Sequence, residues 1–119
     1  MSQIANPMPQ IQKRTYSRYT QDVLAVFGKM IRLGRIQRRL TAQELADRIG
    51  VSRSTLQRME KGDAKVEVGL MFEAAAIVGV KLFDAGESGI KALSERTDDR
   101  IALLPKHVYK AGKSVADDF

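Results

Sequence analysis

Apolar residues recur through the first 80 positions at helical spacing. Val23, Leu24, Phe27, Met30, Ile31 and Ile36 return mostly every three or four residues, which predicts a helix from about Thr20 to Arg39. Leu45, Ala46 and Ile49 line one face of a second helix starting at Thr41. Leu56 and Met59, with Val51 ahead of them, do the same for a third. Val68 to Val78 is apolar over much of its circumference, through Leu70, Met71, Phe72, Ala75, Ala76 and Ile77, and reads as a core helix. Val80-Lys81-Leu82-Phe83 is a short apolar return. From Ala85 the pattern changes. Gly86, Ser88 and Gly89 suggest a hinge, Ile90 to Ser94 a short helix, and Arg100-Ile101-Ala102-Leu103-Leu104 a short strand stopped by Pro105.

The boundaries of the second and third helices carry their own signals. Thr41 and Glu44 make a capping box, in which the hydroxyl accepts a backbone N–H and the carboxylate reaches back to another. Gly50 supplies the left-handed residue that ends the second helix. Ser52 caps the third, and Gly62 closes it. Two capped helices joined by a tight Gly-containing turn form the pattern of a helix-turn-helix, whose second helix enters the major groove of DNA. Arg53, Ser54, Gln57 and Arg58 remain on the faces of the third helix that do not pack.

Charge strengthens that reading. The net charge is +6, and it is unevenly placed. Residues 1–61 hold 12 Lys/Arg against 4 Asp/Glu, whereas residues 62–119 hold 8 against 10. A basic first half suits phosphate contacts. Residues 1–15, with Pro7, Pro9 and several amide side chains, read as a disordered arm, and a flexible basic arm to residue 18 includes Lys13, Arg14 and Arg18. Residues 19–84 are then the helix-turn-helix domain, and 85–119 a C-terminal dimerisation or partner-binding extension with a flexible tail.

Composition removes other classes. Without cysteine there is no disulfide framework and no thiolate metal site, and the single His107 cannot supply a zinc site. The best apolar run, Gly69 to Val80, is broken by Glu73 and too short to span a bilayer. The N-terminal residues lack a signal-peptide core, so a cytoplasmic setting and no membrane partner are expected. No catalytic residue, metal or cofactor is expected, because there is no Gly-rich phosphate loop and His107 has no nearby serine or acidic partner in sequence.

The run from Leu33 to Gly62 resembles the Xre family of lambda-repressor-like helix-turn-helix regulators. The motifs that carry the resemblance are Thr41-x-x-Glu44-Leu45-Ala46, Gly50-Val51-Ser52 and Ser54-x-x-x-Arg58-Met59-Glu60-Lys61-Gly62. It implies an all-α domain of four to five helices, with the C-terminal extension (a short strand possible) used for dimerisation. It further implies base reading by Arg53, Ser54, Gln57 and Arg58. Phosphate contact falls to Ser52, Thr55 and Lys61. Arg35 and Glu60 stand where the family has a structural ion pair. One position departs from the family pattern: Ala42 stands where a phosphate-touching glutamine is usual. Gln43 follows about 100° further round the helix and is the candidate to replace it, with Arg38 and Arg39 in support.

Leu103-Leu104-Pro105-Lys106 and the terminal Asp117-Asp118-Phe119 resemble the tails of HipB-like antitoxins, which partner HipA-type kinase toxins. Phe119 would be the docking anchor. Together these readings imply a dimeric repressor on a palindromic double-stranded operator, with dimer contacts in residues 80–104 and a HipA-like kinase as a further partner. The alternatives are a stand-alone Xre-type regulator and an adaptor that bridges transcription proteins. Arg53 and Arg58 on the recognition face argue against the adaptor.

Overall fold

A computed structural model describes residues 15–83 and 87–108. Five helices, and no strand, are found among them: α1 (Arg18–Gln37), α2 (Ala42–Ile49), α3 (Arg53–Glu60), α4 (Val68–Ile77) and α5 (Glu87–Ala102). The fold is all-α. The strand expected over Arg100 to Leu104 is absent. Arg100, Ile101 and Ala102 form the last turn of α5, and Leu104 donates to the Ile101 carbonyl at 3.0 Å. The helix expected over Ile90 to Ser94 is the middle of the same 16-residue α5. Pro105 had the same stopping effect on either reading, so the apolar cluster before it did not distinguish strand from helix end. Arg18 is not in an arm: it opens α1, after the Ser17 cap, and sits 3.8 Å from Asp22. Lys13, Arg14 and Phe119 lie outside the described residues.

The chain divides into two compact units, Met1–Val80 and Lys81–Phe119. In the first, α1 to α4 enclose a core of Ile31, Leu45, Ala46, Leu56, Met59, Met71, Ala74, Ala75 and Val78. Phe27 meets Phe72 edge to face at its margin, with ring centres 5.7 Å apart. Small residues let the helices close. A Cβ on Gly28 would lie 2.6 Å from the Glu60 carbonyl oxygen and 2.7 Å from that of Met59, so α1 crosses the end of α3 with backbone against backbone. The apolar series of α1 is divided. Ile31 is buried and Phe27 packs on the core, but Val23, Met30 and Ile36 are exposed. Two apolar stripes share this helix, and spacing alone merges them.

The first four helices end alike. A residue at or just after each helix cap turns left-handed, and the next N–H reaches back to the carbonyl five residues earlier. These bonds are Leu40 to Arg35 at 3.0 Å, Val51 to Ala46 at 3.0 Å, Asp63 to Arg58 at 3.1 Å and Val80 to Ala75 at 2.8 Å. Gly50, Gly62 and Gly79 take the left-handed position in three of them, and Arg39, with φ 59°, takes it in the fourth. The second unit contains α5, whose side chains are mostly exposed, followed by exposed Leu103 and Leu104.

Candidate nucleic-acid interface

The turn between α2 and α3 is built from both sides. At the start of α2, the Thr41 hydroxyl accepts from the Glu44 N–H at 3.0 Å and Glu44 accepts from the Thr41 N–H at 2.8 Å. That backbone donor, first of all, holds the Glu44 carboxyl below its usual range. Gly50, at φ 88°, ends α2, and Val51 turns inward against the core. Ser52 then caps α3 by accepting the Thr55 N–H at 3.1 Å. Its hydroxyl also donates to Thr55 Oγ1 at 2.9 Å and lies 3.1 Å from Ser54 Oγ. Three hydroxyls therefore gather at the open N-terminus of α3, where backbone N–H groups favour an anion.

Along α3, Leu56 and Met59 are fully buried. Arg53, Ser54, Gln57, Arg58 and Lys61 are exposed. At 100° per residue these five fall within about 140° of arc, opposite the buried pair. One side of the helix packs and the other offers guanidinium, amide, hydroxyl and ammonium groups to solvent.

Arg35 and Glu60 fix the far end. Arg35 donates from Nε to Glu60 Oε2 at 2.7 Å and from Nη2 to Oε1 at 3.1 Å, a two-pronged contact with side chains only 13% and 9% exposed. Its remaining arm, Nη1, donates to the Leu40 carbonyl at 2.9 Å. The hydrogen bond to Glu60 raises the Arg35 pKa against the opposing effect of burial. The contact ties the last residue of α3 to α1 and to the chain entering α2.

A family model described as helix-turn-helix matches residues 31–84. That stretch is similar to the helix-turn-helix domains of DNA-binding transcription regulators. Comparison with curated proteins and with solved structures gives no match. The helix-turn-helix domain places its other sequence-predicted residues unequally. Gln43 is exposed, but its amide donates to Asp47 Oδ1 at 2.8 Å. Ala42, at the departing position, packs on the core. The Arg38 guanidinium occupies the space where a Cβ of Gly79 would stand, beside the C-terminus of α4. Arg39 is exposed.

Asp63 was missed by sequence reasoning. Its Oδ2 accepts from Arg58 Nε at 2.9 Å, and its Oδ1 accepts the Lys65 N–H at 2.8 Å. The Lys65 N–H first, and Arg58 after it, lower the Asp63 pKa. The available signal was the Asp63-x-Lys65 spacing, since aspartate bonds readily to the N–H two residues on. No helix among the described residues is long and apolar enough to cross a membrane.

Proposed function

We propose that the chain is a sequence-specific transcriptional repressor that binds a palindromic operator as a homodimer. The single observation that carries this reading is the open face of α3, where Arg53, Ser54, Gln57, Arg58 and Lys61 stand opposite buried Leu56 and Met59. Arg53, Ser54, Gln57 and Arg58 read base edges. Arg58 gives its Nε–H to Asp63, which leaves its two terminal nitrogens as the donor pair to match O6 and N7 of guanine. Ser52, Thr55, Lys61 and Arg39 contact phosphate, with Gln43 contributing beside Asp47. Arg38 is drawn toward the α4 C-terminus, whose dipole favours a cation, so the phosphate contact falls more to Arg39.

Within this reading the chain is the antitoxin of a HipA-type kinase and represses its own operon. The exposed Leu103 and Leu104 after α5, in a segment that resembles HipB-like tails, support the placement of the kinase contact in the second unit. Selection of operators from a random duplex pool tests the repressor. A two-fold symmetric site is expected, with binding that weakens steeply as salt rises. Arg58→Ala should relax preference at one or two base pairs, whereas equal weakening on all sequences would remove Arg58 from base reading. Failure of a purified HipA-type kinase from the adjacent gene to bind the full chain would reject the antitoxin role and leave the repressor.

A further inference from the structure

α1 carries a second apolar stripe that the four-helix core does not use. Tyr19, Val23, Val26, Met30 and Leu33 are 78%, 45%, 53%, 38% and 57% exposed. Their spacing is four, three, four and three residues, the period of a coiled-coil seam. At 100° per residue they share about 80° of arc. Gly28, where α1 meets the carbonyls of Met59 and Glu60, lies on the opposite side of the helix. The stripe therefore faces away from the end of α3.

The stripe is close to symmetric about Val26. Turned end for end around that residue, Tyr19 meets Leu33, Val26 meets itself, and Val23 and Met30 come within one residue of each other. One flank is charged in the same sense: Asp22 and Lys29 lie on the same edge, roughly 20° apart and on either side of Val26. In an antiparallel pair about Val26 each Asp22 comes within one residue of the Lys29 of the other helix, twice over. A two-fold interface requires this reciprocity, in which residue i meets j and j meets i. Among the described residues Asp22 pairs with Arg18, 3.8 Å away and highly exposed, so it can turn to a second copy.

We infer that the stripe is the self-association surface of this protein, occupied by α1 of a second copy in antiparallel register about Val26. This places the two-fold contact on α1 rather than in residues 80–104, and leaves α5 and the segment after it for a different partner. The inference rests on the homodimer of the proposed function but not on its DNA reading.

The chain has no cysteine, so single cysteines give an unambiguous test in the full-length protein. Val26→Cys should form a disulfide-linked dimer under mild oxidation. An equimolar mixture of Tyr19→Cys and Leu33→Cys chains should cross-link to each other in preference to themselves. Val26→Glu should weaken the dimer at least tenfold in sedimentation equilibrium, with little change in helical circular dichroism. Asp22→Lys and Lys29→Asp should each weaken it, and together restore it. Self-linking of Tyr19→Cys in preference to Leu33→Cys would overturn the antiparallel register. An unchanged dimer in Val26→Glu would overturn the surface itself. So would a chain that stays monomeric at all concentrations while Val26→Glu lowers its melting temperature, which would mean that the chain's own second unit covers the stripe. Loss of dimer without loss of half-site DNA binding separates this surface from the DNA reading.

Discussion

Glu60→Ala should cost the helix-turn-helix domain about 3 kcal/mol. The structure sets the magnitude. Arg35 makes three hydrogen bonds, two to Glu60 at 2.7 and 3.1 Å and one to the Leu40 carbonyl at 2.9 Å, and the pair is about nine-tenths enclosed. Removing the carboxylate leaves an enclosed guanidinium with one neutral acceptor. Stranding one member of a buried ion pair costs roughly 3–5 kcal/mol, and the residual exposure of this pair argues for the lower end. The first unit spans 80 residues, and a unit of that size is stable by about 4–12 kcal/mol in total. The loss is therefore a large share, equivalent to a fall of about 12 °C or more in Tm. Urea denaturation followed by far-ultraviolet circular dichroism measures it, with the slope unchanged. Arg35→Met combined with Glu60→Leu removes both charges and should recover most of the loss, because desolvation of the pair nearly offsets its attraction. A cost below about 1 kcal/mol for Glu60→Ala would refute the reasoning, as would a double variant no better than the sum of the two single ones.

Three further outcomes follow from the same geometry. Gly28→Ala drives a methyl to 2.6–2.8 Å from the backbone of Met59 and Glu60 and should destabilise by about 1–3 kcal/mol in the same denaturation assay. Arg39→Gly removes a left-handed arginine and should raise stability by about 0.5–1 kcal/mol, while lowering operator affinity and the steepness of its salt dependence in fluorescence anisotropy. Folding depresses the pKa of Glu44 and of Asp63, so the stability they contribute is present above the ordinary carboxylate range and is lost as pH falls below it through their depressed folded values. Thermal melts between neutral and acid pH should show that decline, and it should be shallower in Glu44→Gln and in Asp63→Asn.

The helix-turn-helix was legible because its signals are local. Thr41 with Glu44, Gly50 and Ser52 each act within a few residues of chain, and their hydrogen bonds are made over the same short span. The Arg35–Glu60 contact joins residues 25 apart and was reached through the family resemblance, which supplied the pairing that periodicity could not. Asp63 was missed because its effect on Arg58 depends on the left-handed turn at Gly62, which brings the carboxylate back beside the helix it has just left. The α1 stripe was hidden for a different reason. Val23 and Met30 fit the same three-and-four spacing as Phe27 and Ile31, and which side of a helix faces the core is decided by what packs there, here Met59 and Val78 against small residues of α1. The strand proposed before Pro105 failed because a four-residue apolar cluster has no period long enough to choose between strand and helix end.

The division of α3 into a packed side and an open side has a consequence for how such a protein changes over time. Leu56, Met59 and Glu60 hold the helix in place, while Arg53, Ser54, Gln57 and Arg58 contribute nothing to the core cluster. Replacing Arg53 or Gln57 changes the chemistry of that face at small cost to folding, since exposed positions away from special features shift stability by roughly 0.5 kcal/mol or less, and replacing Arg58 forgoes only a partly exposed pair with Asp63. Duplicated copies of this gene can therefore diverge in this face one side chain at a time, each intermediate still folding.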